Sequence, residues 1–211
     1  MVAGFLSLPA GVLALTGGPT AVSANLLVIA LVIFVLCDYT VVRVATGQWQ
    51  RQRSADDRST YLVVQVAQLA GLGLALAARS WAPGLDIERR VWAFVVVGLV
   101  FLAGGTAVRV WAVLTLGRYF NREVMVRDDH QVITDGPYRW VRHPSYSGAL
   151  LAFFGFGIGQ CNWLSLGASL VLPVAGYLYR IQSEEQTLLA GLGEPYRAYI
   201  TGHKRLIPGV F

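Results

Sequence analysis

The chain has 211 residues, of which 55% are hydrophobic and 14% are charged, against about 25% charged residues in a typical soluble domain. This composition argues against a soluble protein and predicts an all-α integral membrane protein. The net charge of +5 comes almost wholly from arginine, since Lys204 is the single lysine. The arginines stand at the ends of apolar runs, as membrane topology requires, and not on one basic face, so no nucleic-acid partner is expected. The length predicts a single domain, residues 1–211.

The first apolar segment carries no charge from Met1 to Cys37 and is interrupted by a Gly-Gly-Pro sequence at 17–19. The part before the interruption, about 16 residues, is too short for a comfortable span and is expected to lie at the interface or to re-enter the membrane. Thr20 to about Val44 is long enough to cross the membrane. The segment lacks the basic start of a signal peptide, so cleavage is not expected.

Four further membrane-crossing helices are predicted downstream. Residues 59–78 are uncharged for 20 residues, and the run 91–116 contains a single charge, Arg109. The run 144–179 is uncharged for 36 residues, which is enough for two helices of about 17 residues joined by a turn at 159–162. The expected total is therefore about five transmembrane helices.

The arginine distribution orients these spans. The turn at 159–162 contains no Lys or Arg and is placed outside, which places Arg139, Arg142 and Arg180 in the cytoplasm. The loop 43–58, with four arginines, is then also cytoplasmic, whereas the loop 79–90 falls outside although it contains three arginines.

Beyond Arg180 the apolar run changes to a mixture of leucines and polar residues over 181–192. This pattern predicts an amphipathic continuation of the fifth helix, which Gly193 ends. Residues 195–199 are a candidate for a further short, C-terminal helix.

Charged residues at the membrane boundary are the first functional candidates. A charge inside a span, such as Arg109, normally faces the protein interior or a wet cavity, although Arg109 could instead snorkel to the interface. Arg180 and Glu184 are four residues apart and share a helix face, with Glu185 about 100° away. Two neighbouring carboxylates at this position suit a cationic ligand group, and the alternative is a surface ion pair.

The most polar stretch of the chain, 127–148, holds two of the three histidines. Within it, Pro144 follows His143, and proline favours the first turn of a helix. The start of that helix should present free backbone N–H groups and its positive end, which together predict an anion site. Tyr138 and Tyr146 are either site residues or interfacial aromatics. The two cysteines, both in apolar surroundings, predict neither a disulfide framework nor a metal site.

Several short motifs follow one another in order over about residues 105–208: Gly117-x-x-Phe120-Asn121, His130-x-Val132, Gly136-Pro137-Tyr138, Arg142-His143-Pro144-x-Tyr146-x-Gly148, Arg180-x-x-x-Glu184-Glu185 and Gly193-x-x-Tyr196-x-x-Tyr199. Together they closely resemble the isoprenylcysteine carboxyl methyltransferase family, whose C-terminal signature is shared with the phospholipid N-methyltransferases. Residues 1–90 match only in being apolar spans. They are assigned as N-terminal spans, and residues 91–211 as the methyltransferase catalytic region.

The resemblance implies an integral membrane enzyme that uses S-adenosyl-L-methionine, held on the cytoplasmic side, with a lipid-like or prenylated substrate arriving from the bilayer. It places four residues around the reacting groups: Arg109, Tyr146, Arg180 and Glu184. It also implies a set of cofactor-binding residues, with no metal: His130, Val132, Tyr138, Arg142, His143, Pro144 and Glu185.

The methyl donor is a sulfonium cation, and the possible acceptors differ in whether they must lose a proton before they react. Transfer is an in-line displacement that requires close alignment. A carboxylate acceptor is already ionised at pH 7 and needs a positive clamp, which Arg109 and Arg180 can form. The expected function is therefore carboxyl O-methylation of a prenylcysteine-like or other apolar carboxylate.

Two alternatives stay open. An amine or thiol acceptor would need a general base, so N-methylation of a phospholipid amine or S-methylation of a small thiol is the first alternative. A non-catalytic membrane scaffold or lipid-binding protein is the second.

The native acceptor and the oligomeric state stay open as well. The excess of arginine hints at a bacterial source, and we expect the multi-pass protein in the cytoplasmic membrane, surrounded by lipid, with its site facing the cytoplasm.

Overall fold

The computed structural model describes residues 19–46, 55–120 and 132–211. The predictions made for residues 1–18 and for His130 lie outside this part of the chain. Within it the fold is helical, with six α-helices in chain order: α1 Pro19–Thr46, α2 Ala55–Trp81, α3 Val91–Leu116, α4 Pro144–Gly159, α5 Trp163–Leu192 and α6 Glu194–Gly202.

Helices α1 to α5 correspond in order to the five predicted spans. Four of them, α1, α2, α3 and α5, are long and apolar enough to cross a membrane. Helix α4 is shorter, at 16 residues, but carries no charge. The prediction of an all-α integral membrane protein is confirmed, and the span count is close to the expected five.

The helix boundaries follow local sequence rules. Helix α4 begins at Pro144, where the missing N–H of proline costs no helical hydrogen bond. Helix α5 begins after Asn162, whose side chain accepts a hydrogen bond from the Ser165 N–H. It continues past the apolar run to Leu192 and ends at Gly193, which adopts a φ of 61°, a conformation that glycine adopts without strain.

Glycines bring α3 and α4 into close contact. A β-carbon at Gly98 would lie 2.6 Å from the Gly155 carbonyl oxygen, and one at Gly148 would lie 2.6 Å from the Arg109 nitrogen. Such close approach of two backbones is the usual reason for small residues between membrane helices. It fixes Arg109 directly against the first turns of α4.

Helices α1 and α2 pack on different partners. Helix α1 lies mainly against α3, whereas α2 lies mainly against α5. Both helices also line a common cavity, so the N-terminal half of the described chain closes one side of the space in which the polar residues meet.

The C-terminal strap, which we define as residues 203–211, lies beside the start of α4. The Arg142 N–H donates to the Lys204 carbonyl at 2.8 Å, and the His143 N–H donates to the Arg205 carbonyl at 3.0 Å. The Ser147 hydroxyl donates to the Leu206 carbonyl at 2.6 Å. The strap therefore holds the segment that enters α4.

Candidate active site

A large cavity of about 300 Å³ lies among α1 to α5. Its wall contains both apolar and charged side chains. The apolar ones include Phe34, Leu69, Leu72 and Phe153, and the charged ones are Asp38, Arg109, Arg142, Arg180, Glu184 and, if protonated, His143. A small cavity of about 80 Å³ shares part of this wall, including Tyr138, Arg142, His143 and Glu184. Both cavities therefore border these side chains.

The residues predicted around the reacting groups come together at the large cavity. Arg109 from α3, Tyr146 from α4, and Arg180 and Glu184 from α5 all line it. Among the predicted cofactor residues, four line the small cavity: Val132, Tyr138, Arg142 and His143. Pro144 and Glu185 are placed behind this wall and line neither cavity.

Arg109 faces the protein interior. Its Nε donates to Asp38 Oδ1 at 2.6 Å, and its Nη1 donates to the Ser145 carbonyl at 3.1 Å. The side chains of Arg109 and Asp38 are only 14% and 19% exposed. Snorkelling of Arg109 to the interface, one of the two sequence interpretations, does not occur.

Tyr146 connects the charged groups of α5. Its hydroxyl donates to Glu184 Oε2 at 2.7 Å, and the Arg180 guanidinium lies beside the same hydroxyl. The ring stacks on His143 with centroids 5.5 Å apart. Arg180 is 4% exposed and its Nη1 donates to Thr60 Oγ1 on α2, so it is not part of a surface ion pair.

Glu185 has a different environment from Glu184. Its carboxylate accepts a hydrogen bond from Arg205 Nη2 at 2.8 Å and lies 3.3 Å from both Arg142 Nη1 and His143 Nε2. The side chain is 8% exposed. Because neighbouring residues of a helix point about 100° apart, only Glu184 reaches the cavities. The sequence suggested that the two carboxylates receive a cationic group together. In the structure they do not face the same space, because Glu184 lines the cavities and Glu185 does not.

The anion site predicted from free amides at the start of α4 stays a prediction, and the Tyr146 and Ser147 amides of its first turn donate to the His143 carbonyl. The amides of Arg142 and His143 donate to the C-terminal strap. A different donor is available instead, because the Arg142 Nε is buried without a hydrogen-bond partner among the described residues. Since Arg142 lines both cavities, it is the better candidate for binding an anion.

Tyr138 lies in a short 3₁₀ segment, Gly136–Arg139, that precedes α4. Its carbonyl accepts a hydrogen bond from the Tyr199 hydroxyl at 2.7 Å, which ties the segment to α6. Burial, together with the negative charge of Glu184, raises the pKa of the Tyr138 phenol well above its ordinary value. Tyr138 therefore remains a neutral hydroxyl at the junction of the cavities near pH 7.

Several residues at the site were missed by reasoning from the sequence. Asp38 on α1, Gln68 on α2 and Tyr177 on α5 line the large cavity, and the Gln68 Nε2 donates to the Tyr177 hydroxyl at 2.8 Å. Thr60 on α2 lines neither cavity but binds Arg180, which does. The signal for Asp38 was present, since an acid at the end of an apolar run that is otherwise uncharged is a functional candidate. Nothing in the sequence indicated that it meets Arg109.

Fold and site together define a multi-pass integral membrane protein with a cavity lined by both apolar and charged side chains. Residues 96–190 match the model of the isoprenylcysteine carboxyl methyltransferase (ICMT) family. This region of the chain is therefore similar to that family.

Curated relatives are similar over about half of the chain. A probable protein-S-isoprenylcysteine O-methyltransferase of Oryza sativa subsp. indica is 36% identical over 113 residues, which is 53% of this chain and 59% of the rice protein. The Homo sapiens protein-S-isoprenylcysteine O-methyltransferase is 36% identical over 117 residues, 54% of this chain and 40% of the human protein. The chain thus spans less than two thirds of the length of these relatives.

The fold also resembles a solved structure, that of the eukaryotic intramembrane Ras methyltransferase ICMT. The TM-score is 0.71 at 23% sequence identity, and the match covers 95% of this chain and 71% of that chain. The likeness therefore includes α1 and α2, which lie outside the region matched by the family model. It establishes a shared fold for nearly the whole chain.

Proposed function

We propose that this protein is an S-adenosyl-L-methionine-dependent membrane methyltransferase that esterifies the carboxylate of an apolar molecule such as an S-prenylated cysteine. The observation that supports this most directly is the lining of the large cavity. It combines three guanidinium groups, of Arg109, Arg142 and Arg180, and two carboxylates with apolar side chains such as Phe34, Leu72 and Phe153. This surface is complementary to an anionic head with an apolar tail.

The small cavity, together with the wall that it shares with the large cavity, is the proposed cofactor site. When bound there, S-adenosyl-L-methionine supplies an electrophilic methyl group on a positively charged sulfur. The residues present suit such a ligand, because it carries both a carboxylate and cationic groups. The Arg142 Nε offers a buried donor that lacks a partner among the described residues, and the Glu184 carboxylate lies on the wall of both cavities.

Glu185 and Pro144 have a supporting role in this proposal. Glu185 holds Arg142 through an ionic contact and lies 3.3 Å from His143 Nε2, and Pro144 begins the helix that carries Tyr146. Both act on the cofactor site through neighbouring residues. His130, which the resemblance also assigns to the cofactor, stays a prediction.

Arg109 and Arg180 are proposed to hold the acceptor carboxylate. A carboxylic acid is ionised at neutral pH because its ordinary pKa is about 4, so the acceptor needs no general base. What the protein must provide is alignment with the methyl group and exclusion of water. Arg109 and Arg180 come from different helices, α3 and α5, and line the same cavity, which suits a two-sided clamp.

The charged end of the bundle is proposed to face the cytoplasm. Arg139, Arg142, Arg197 and Arg205 all belong to this end of the chain, as expected for a cytoplasmic surface. At the opposite end, Arg79 is paired with Asp86 at 3.6 Å, which reduces the positive character of the loop 79–90. A bacterial cytoplasmic membrane is the proposed location.

Transfer of radiolabelled methyl groups to a panel of acceptors tests the proposal. The purified protein in detergent is incubated with methyl-labelled S-adenosyl-L-methionine and an S-farnesylcysteine derivative, a fatty acid, a phosphatidylethanolamine or a small thiol. We expect label in the carboxylates. Label only in the amine or thiol would contradict carboxyl methylation. Absence of saturable heat on titration with S-adenosylhomocysteine would contradict the cofactor.

A further inference from the structure

The two arginines of the proposed clamp are both held by the N-terminal helices. Asp38 on α1 binds the Arg109 Nε at 2.6 Å, and Thr60 on α2 accepts a hydrogen bond from the Arg180 Nη1. Both α1 and α2 lie outside residues 96–190, the region matched by the family model. The orientation of each arginine therefore depends on a residue from the other half of the chain.

Stability alone is a poor explanation for the pairing of Asp38 with Arg109. Taking both charges out of water costs free energy that their attraction often fails to recover, and apolar replacements of such pairs are frequently neutral or stabilising. Inside a membrane an ionisable residue is rarer still and usually functional. Asp38 is not remote from the site either, because it lines the large cavity together with Arg109.

The contacts of Arg109 fix the plane of its guanidinium. One bond runs from Nε to Asp38 and a second from Nη1 to the Ser145 carbonyl on α4. A guanidinium has five N–H donors in a rigid planar fork, so two fixed bonds define its direction and leave donors for a ligand.

The charge of Asp38 has a second consequence for the proposed reaction. When a carboxylate oxygen forms its bond to the methyl carbon, the bond from that carbon to sulfur breaks and its electron pair stays on sulfur. The anionic acceptor and the cationic donor both become neutral. An uncompensated arginine would bind the anionic acceptor more tightly than the transition state, in which that negative charge is partly lost, and such ground-state binding lowers KM and kcat together.

We propose that Asp38 is a positioning residue that sets both the direction and the effective charge of Arg109 toward the acceptor carboxylate. This inference rests on the proposed methyltransferase function. Asp38 of α1 thereby influences how Arg109 holds the acceptor. Thr60 of α2 influences Arg180 in the corresponding way.

Two substitutions separate the two effects. Asp38→Asn keeps an oxygen that can accept the Arg109 Nε–H but removes the charge, whereas Asp38→Ala removes both. We expect Asp38→Asn to lower both KM for the carboxylate acceptor and kcat, each at least threefold. We expect Asp38→Ala to lower kcat/KM by about 100-fold, the scale of loss that misplacement of a positioning group causes. Affinity for S-adenosylhomocysteine should stay within twofold of wild type in both.

Asp86→Asn is the matched control, because Asp86 also pairs with an arginine, Arg79, but lies at the opposite end of the bundle. This variant should leave kcat and KM unchanged.

Wild-type kinetics in both Asp38 variants would overturn the inference. Parallel loss of activity and of S-adenosylhomocysteine binding would overturn it as well, because such a result indicates a structural role. Failure of the wild-type protein to methylate any carboxylate would instead overturn the proposed function, and the inference with it.

Discussion

The Tyr146 hydroxyl donates a hydrogen bond to Glu184 Oε2 at 2.7 Å, which links α4 to α5 where the two cavities meet. Glu184 lines both cavities and Tyr146 lines the large one. A single hydrogen bond thus connects the proposed cofactor side to the proposed acceptor side. The bond orients the Glu184 carboxylate, which in the proposed reaction would lie near the positively charged cofactor.

Tyr146→Phe should therefore reduce activity without unfolding the protein. The ring keeps its stacking on His143 and its contact with Tyr177, and only the hydroxyl is lost. A hydrogen bond to a charged group contributes about 1.5–3 kcal/mol, so kcat/KM should fall by about one to two orders of magnitude. Steady-state methyl transfer measures this, and Tyr179→Phe, at an exposed position of the same α5 helix that bears Glu184, should behave as wild type.

Glu184→Gln should nearly abolish turnover, by at least about 100-fold, because a neutral amide removes the carboxylate from the wall shared by the two cavities. Helix α5 should persist, since glutamine has nearly the same helix propensity as glutamate. Methyl transfer and circular dichroism are measured on the same preparation. Glu194→Gln, an exposed acid in the first turn of α6, is the control. Normal turnover in Glu184→Gln would exclude this carboxylate from the site.

Glu185→Gln should destabilise the fold as well as the cofactor site. It leaves Arg142, His143 and Arg205 facing one another without their shared carboxylate. Removal of one partner from a buried ionic cluster costs about 3–5 kcal/mol. We expect a marked fall in Tm and weaker S-adenosylhomocysteine binding. Arg205→Gln, which removes the most exposed partner, should show a smaller fall, and the opposite order would argue against Glu185 as the centre of the cluster.

Gly105→Ala should separate α3 from α4 and displace Arg109. A β-carbon at Gly105 would overlap the backbone of Ala152, whereas one at the adjacent Gly104 would meet no atom within 4 Å. The two alanine variants differ by one position and thus form a matched pair. We expect Gly105→Ala to lose expression or activity and Gly104→Ala to retain both. Equal activity in the two variants would mean that the close helix contact does not position Arg109.

Local sequence rules predicted the helices well, because their boundaries depend on neighbouring residues. Pro144 marked the start of α4 and Gly193 the end of α5, and both are found there. The inward orientation of Arg109 was also predictable, since a charge within an apolar span must find polar surroundings.

Features that depend on distant parts of the chain were not predictable. The partner of Arg109 is Asp38, 71 residues earlier, and no local pattern connects them. The C-terminal strap, which accepts hydrogen bonds from the Arg142 and His143 amides just before α4, was likewise not indicated by any local pattern. Helix geometry predicted the angle between Glu184 and Glu185. It did not predict which of the two lines the cavities, because that depends on how α5 packs against the other helices.

The chemical stability of the methylated product tests the central claim most directly. Product formed from labelled S-adenosyl-L-methionine and an S-farnesylcysteine derivative is treated with alkali, and volatile methanol is collected. Carboxyl methylation predicts that the label is released as methanol, in amounts that depend on wild-type protein and fall to background with Glu184→Gln. A labelled product that withstands alkali would show methylation at nitrogen or sulfur and would contradict the account.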